Sequence, residues 1–382
     1  MDLAPTAEQT MLVQAVRRLV GEHVAGQARQ WDAAERFPTE VVAPMASLGL
    51  WGIQAPAALG GSGLGALELA LVVEEIAAAD GSLALVVASH NGLCLGHLAT
   101  AGSAAQKQRF VPHLASGKGL GAWALTEPNS GSDAVAMATV ARRAGAGWVL
   151  SGSKVFITQG SIADTYVVLA VTDRAARNHG VTAFVVDRGT PGLSATPMRD
   201  KVGMRASDTA LIALDGVEVG DDRRLGAVGA GFIDTLKVLD GGRITIAALA
   251  VGLMRGALAA AAAYAKQRQQ FGEPIANFQA VQWKLANLAT ELAAARLMTH
   301  AAAGLADAGR PFSQEASMAK LFASEAAVRG CEQALQVHGG YGYTGEFVVG
   351  RHWRDAKLTT IGEGTSEIQR SIIARRVLRA TA

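Results

Sequence analysis

The chain has 382 residues, enough for about two or three domains with a sizeable core. Half of the residues are hydrophobic, 18% are charged and the formal net charge is +2. That balance excludes a disordered chain and gives no basis for a nucleic-acid or other polyanionic partner. Met1-Asp2-Leu3-Ala4-Pro5 carries no basic segment ahead of an apolar one, and the apolar run from Ile244 to Met254 is stopped at Arg255. A cytoplasmic protein without membrane insertion is expected. Cys94 and Cys331 match no metal or redox spacing and read as buried thiols. His90 and His97 have no carboxylate company, so no metal is expected.

In chain order, the first part is helical. Thr6 and Gln9 form a capping box ahead of Leu12, Val16, Leu19 and Val20, and Leu67 to Ala79 is rich in Leu, Ala and Glu. From Gly121 short β-rich runs take over: Trp148 to Leu150, Val155 to Thr158, Thr165 to Val171, Val181 to Val186, Thr209 to Leu214 and Val217 to Val219. Ser151-Gly152-Ser153 and Asp215-Gly216 read as turns between them. Regular short strands without intervening helices predict an antiparallel barrel or sandwich. From Gly231 alanine-rich helical periodicity returns, broken near Arg268 to Pro274, Ala308 to Pro311 and the glycines of 339 to 345. The expected fold is α+β and multidomain: an all-α domain over 1–120, a β domain over 121–230 and a helical bundle over 231–382. A cofactor cleft is expected where they meet.

Glu363 sits in Ile361-Gly362-Glu363-Gly364-Thr365-Ser366-Glu367-Ile368-Gln369-Arg370, between a glycine-rich turn and a helix start. Ser366 and Gln369 read as a capping box, and Ile368, Ile372 and Val377 as an apolar stripe. The positive end of the helix favours an ionised carboxylate and burial favours a neutral one, an opposition that can hold a base ready to take a proton from carbon. Taken alone, the segment favours a first-turn glutamate that merely complements the dipole, and its company with the segments below reverses that. Ala124-Leu125-Thr126-Glu127-Pro128-Asn129-Ser130-Gly131-Ser132-Asp133 could surround a phosphate or a polar ring edge, or be only a polar loop. The glycines of Gln336-Val337-His338-Gly339-Gly340-Tyr341-Gly342-Tyr343 allow close approach to a ligand, or a tight interhelical turn. They follow helical sequence, so they are not a dinucleotide fingerprint. Arg268-Gln269-Gln270-Phe271-Gly272 places a cation and an aromatic in a helix break, suited to a pyrophosphate or to a surface ion pair.

Together these segments resemble the acyl-CoA dehydrogenase family over nearly the whole chain. Two family signatures occur in order, Ala124 to Asp133 and Gln336 through Gly342, Glu346 and Arg351 to Asp355. The resemblance implies an FAD enzyme with a C-terminal four-helix bundle, its isoalloxazine against Trp123, Leu125 and Thr126 and against Phe156, Ile157 and Thr158. It places Ser132 at the pyrophosphate and the substrate. Arg268, Gln270 and Phe271, with Gln336, Val337, Gly339 and Gly340, would reach the FAD of a neighbouring subunit in a homotetramer. Gln279, Thr365 and Glu367 match further flavin positions, while Asp240, Arg243 and Gly364 match substrate positions. The implied reaction takes an acyl-CoA to its trans-2-enoyl-CoA. Glu363 removes the C2 proton as hydride leaves C3 for flavin N5, and its own backbone N–H with a ribityl hydroxyl polarises the thioester carbonyl. Electron-transferring flavoprotein is the implied electron acceptor.

Three departures from the family pattern matter. Gly242 stands where some relatives place the base, leaving Glu363 as the candidate; Gly362 replaces a frequent tyrosine beside it; and Phe156 replaces a frequent tryptophan. Thr172-Asp173-Arg174, Ser89 to Leu93 and Ala316 to Ala326 resemble short-chain members, so short straight-chain substrates are expected, ahead of medium or branched ones. The alternatives are a carrier-protein thioester dehydrogenase, a flavin oxidase on the same fold and, against the small net charge, a DNA-binding flavoprotein.

Overall fold

The structure, a computed structural model, describes residues 5–380. The expectation drawn from Met1 to Ala4 lies outside them. Helices α1 (Ala7–His23), α2 (Ala28–Ala34), α3 (Val42–Ser47), α4 (Ala66–Ala77), α5 (Gly81–Ala88), α6 (Gly96–Ala101) and α7 (Ala104–Ala115) form the first part. The Thr6–Gln9 capping box closes with both reciprocal bonds, Gln9 N–H to Thr6 Oγ1 at 3.1 Å and Thr6 N–H to Gln9 Oε1 at 3.0 Å. Val16, Leu19 and Val20 are buried as their spacing predicts. Between α5 and α6 the chain winds as a π-helix over Ser89–Leu95. Such wide turns are uncommon and mark sites where side chains must be re-aimed.

Strands β1 (Gly121–Ala124), β2 (Val140–Ala144), β3 (Gly147–Thr158), β4 (Thr165–Val171), β5 (Val181–Asp187), β6 (Leu193–Pro197), β7 (Thr209–Gly220) and β8 (Arg224–Leu225) make one sheet, ordered β6-β7-β3-β2-β4-β5-β8 with β1 beside β4. The expected β domain is found as one mostly antiparallel sheet, and not as a closed barrel. The strand path is open, and β4 pairs in parallel with both β1 and β2. The supposed turns are irregularities inside long strands. Asp215-Gly216 is a bulge in β7 opposite Ser151, and β3 has its own bulge between Lys154 and Ile157. Glycine and β-rich flanks signal a bulge and a turn alike, which is why four short runs resolve into two strands of 12 residues.

The last part holds α8 (Gly231–Gln267), the two-residue strands β9 (Gln269–Gln270) and β10 (Glu273–Pro274), then α9 (Gln279–Asp307), α10 (Ser313–His338), α11 (Val348–Thr359) and α12 (Ser366–Ala380). Small residues allow close helix contacts: a β-carbon at Gly252 in α8 would stand 2.5 Å from Glu74 O in α4. Arg255 does not end the apolar run. It continues inside α8 and donates to Glu75 at 2.6 Å. The stretches Gly81–Ala101 and Gly231–Gln267 are long and apolar enough to cross a membrane, yet most of each is buried within the protein, as core helices are. Both cysteines are buried free thiols, and burial pushes Cys94 up to about 12.

Candidate active site

The turn between α11 and α12 carries Glu363 and Gly364 in left-handed conformation, φ 54° and 97°. A glutamate there stores roughly 1–3 kcal/mol of strain, so neighbouring groups must impose the conformation. Gln369 Nε2 donates to Glu363 O at 3.2 Å and Gly364 O at 3.0 Å, and Lys320 Nζ from α10 donates to Gly364 O at 2.7 Å. The expected Ser366 cap is corrected by this arrangement. Ser366 lies inside α12 with its hydroxyl buried and unpartnered, while Thr365 Oγ1 accepts from Ile368 N–H. Gln369 turns back to the loop, and Val377 of the supposed apolar stripe is exposed.

Glu363 as a whole is half-buried, but its Oε2 is enclosed and without a hydrogen-bond partner. The carboxylate stands against α8, where a β-carbon at Gly242 would overlap Oε2. Leu93 of the π-helix comes within 3.2 Å of the same point. Burial pushes the carboxyl up to about 7, opposed by the charges of Lys320 and Arg243. One turn before Arg243, Asp240 accepts from its guanidinium and from Ser313 Oγ at 3.0 Å. Burial raises Asp240 and lowers Arg243, against their mutual attraction. Asp240, Arg243, Glu363 and Gly364 are thus gathered at one place.

A second group forms where β1 and β3 end. Trp123 and Leu125 are buried and Thr126 is half-buried, and Val155 N–H donates to Thr126 O at 2.9 Å. That bond sets the Thr126 segment beside Phe156, Ile157 and Thr158. Phe156 occupies the β3 bulge at φ 59° and is 64% exposed. An aromatic ring in left-handed conformation and facing outward is what a planar ligand needs and what a core does not. The Ile157 side chain belongs to the sheet core. The hydroxyls of Thr126 and Thr158 have no partner among the described residues. The π-helix and α6 link this group to the Glu363 side: His90 Nδ1 accepts from Gly121 N–H at 3.1 Å, His97 Nδ1 on α6 accepts from Trp123 Nε1–H at 3.2 Å, and Leu93 lies within 3.2 Å of where a Gly242 β-carbon would stand. Both histidines serve packing, and burial pushes His97 down to about 4.

Arg268, Gln270, Val337, Gly339 and Gly340 meet in a separate groove of about 510 Å³, walled by Tyr264 and Tyr341. The Arg268 guanidinium lies over the Tyr341 ring at 5.6 Å, and open space stands over Gly339 and Gly340. Phe271 beside it is 96% exposed. Gln279, Gln336, Ser132 and Glu367 are exposed and enter neither group, while Thr365 caps α12. A flat aromatic platform with free hydroxyls, and a glycine-lined groove with a guanidinium, fit the ring and the phosphates of FAD. Within the chain they are two separate places.

Sequence reasoning missed three partners of this site. Lys320 is fully buried among alanines, Lys154 is buried against Glu127 at 2.8 Å, and His97 orients Trp123. The Lys154–Glu127 pair also holds Leu125 O, Ala138 N–H and Thr139 N–H, and so ties down the loop after β1. A lysine at the buried positions of an alanine helix was the available signal for Lys320.

Comparison with known proteins bears directly on these groups. Residues 6–118, 122–217 and 229–378 match the N-terminal, middle and C-terminal domains of acyl-CoA dehydrogenase. The chain belongs to the acyl-CoA dehydrogenase family. It is 47% identical to the Bacillus subtilis protein named "Probable acyl-CoA dehydrogenase YngJ", over 99% of this chain and all of that one. It is 44% identical to the mitochondrial short-chain specific acyl-CoA dehydrogenase of Bos taurus, over 97% of this chain and 90% of that one. Its fold superposes on butyryl-CoA dehydrogenase from Megasphaera elsdenii with a TM-score of 0.97 at 38% identity, covering 99% and 100% of the two chains. This acyl-CoA dehydrogenase is an oxidoreductase whose cofactor is FAD.

Proposed function

We propose that this acyl-CoA dehydrogenase acts on short straight-chain acyl-CoAs of about four carbons, with Glu363 as the base that removes the C2 proton. The single observation that carries the assignment is the enclosed, unpartnered Oε2 of Glu363, raised to about 7 in a pocket whose other wall is Gly242. A carboxylate with ordinary acidity is too weak for a thioester α-proton, and desolvation brings the two closer. The backbone N–H of Glu363 has no partner among the described residues, so it can donate to the thioester oxygen as enolate charge develops there. FAD, when bound, supplies the acceptor for the hydride that leaves C3 as the C2–H pair becomes the carbon–carbon double bond. The Leu93 side chain stands within 3.2 Å of the position a Gly242 β-carbon would take, which supports a pocket suited to a short chain. Asp240 and Arg243, on the same helix as Gly242, suit the polar CoA portion. Ser132 would meet the pyrophosphate and Gln279 the flavin, while Arg268, Gln270 and Gln336 to Gly340 would reach the FAD of a neighbouring subunit in a homotetramer, in the cytoplasm, with electron-transferring flavoprotein taking the electrons onward.

Anaerobic titration with acyl-CoAs of four to sixteen carbons, a range spanning about the family's substrate classes, tests this by following the flavin band. Strongest bleaching with the butyryl thioester is expected. A maximum with a long chain would overturn the short-chain assignment, and no bleaching by any member would overturn the reaction.

A further inference from the structure

Glu363 is held by more than its own turn. Lys320 lies on the buried face of α10 among Ala316, Ala319 and Ala323, with its residue surface entirely covered. A buried ammonium is costly to desolvate and survives only with compensating partners. Among the described residues, the hydrogen bond it makes is to Gly364 O at 2.7 Å, on the carbonyl side of the base. Gln369 from α12 adds two bonds, to Glu363 O and Gly364 O. Three hydrogen bonds from two side chains thus converge on two successive carbonyls whose residues are both left-handed.

We propose that Lys320 and Gln369 form a positioning clamp: they fix the strained Glu363-Gly364 turn so that the carboxylate stands in the space left by Gly242, and Lys320 adds a buried positive charge facing it. The inference rests on the reading of Glu363 as the base. Without the clamp the turn relaxes toward ordinary backbone angles and the carboxylate leaves its place against α8. The charged groups facing Glu363 are Lys320 and Arg243. Those facing Lys320 are Glu363, Arg243, Glu367 and Glu325, and burial lowers Lys320 to about 8. Losing the lysine charge leaves Arg243 as the opposing cation, so Glu363 holds its proton to higher pH. The Gln369 bonds carry no charge and act through geometry.

The test is the pH profile of kcat/KM for a short acyl-CoA in flavin-loaded Lys320→Met, Lys320→Arg and Gln369→Met, with Glu363→Gln alongside. For Lys320→Met the acid limb should move upward by about one pH unit, kcat at pH 7 should fall about tenfold or more, and KM should change little. Lys320→Arg should return the limb toward its original position. Gln369→Met should lower kcat with the limb unmoved. A lysine that served only packing would lower flavin content and stability but leave the limb and the kcat of the flavin-loaded fraction as they were, and that result overturns the clamp. If Lys320→Met yields no flavin-loaded protein, Gln369→Met decides, and a wild-type kcat there overturns it. Turnover by Glu363→Gln would instead refute the base itself, separately from the clamp.

Discussion

Gly242 and Glu363 share one space: a β-carbon on the first would overlap the carboxylate oxygen of the second. The two residues lie on different elements, α8 and the turn before α12, so the absence of a side chain at 242 is a condition for the base to stand where it does. Gly242→Ala is therefore expected to keep FAD and lose about a hundredfold in kcat, the scale of a misplacement of about one ångström. Flavin absorbance and steady-state kinetics on the same preparation check it.

The acidity of Glu363 sets a pH dependence whose sign is fixed. The base acts when deprotonated, so kcat/KM should rise with pH through about 7. The same group has a stability signature. Its folded pKa is raised above the ordinary value, so its favourable contribution is full at acid pH, below the unfolded pKa, and is lost as pH rises through about 7. Glu363→Gln mimics the protonated form and should raise Tm relative to wild type at pH 8 while matching it more closely at pH 5. Calorimetry of both proteins at the two pH values measures this.

The buried Lys154–Glu127 pair makes a separate prediction. Burial pushes Lys154 down to about 8, against the attraction of Glu127, and Glu127 lies below its usual range despite burial. Lys154→Met removes the cation and leaves a buried carboxylate, at a cost of about 3–5 kcal/mol. Loss of FAD should accompany it, because the same pair holds the loop after β1. Denaturant unfolding and flavin content after gel filtration report both effects.

Phe156 separates strain from binding. Replacing it by glycine removes the left-handed penalty of about 1 kcal/mol and the aromatic face together. Apoprotein stability should rise or hold while FAD affinity falls. An unchanged affinity would show that the exposed ring does not meet the flavin.

Much of this architecture was legible in the chain. The Thr6–Gln9 cap and the run Thr165–Val171 are found where their patterns place them. The sheet was harder, because Gly152 and Gly216 signal a bulge and a turn with the same residue type, and parallel pairing of β4 with β1 depends on contacts far apart in sequence. Glu363 was visible through its glycines and the helix after it. Its supports were harder to read: Ser366 looked like a cap and lies inside the helix, and Lys320 is marked only by its place on the alanine face of α10, with its bond to Gly364 O fixed by the fold.

The most direct measurement is stopped-flow mixing of butyryl-CoA with Glu363→Gln and with wild type, both flavin-loaded and free of oxygen. Wild type should bleach the flavin band, whereas Glu363→Gln should bind, perturb the band and fail to bleach it. Bleaching of Glu363→Gln at a rate near wild type would contradict the assignment of Glu363 as the base.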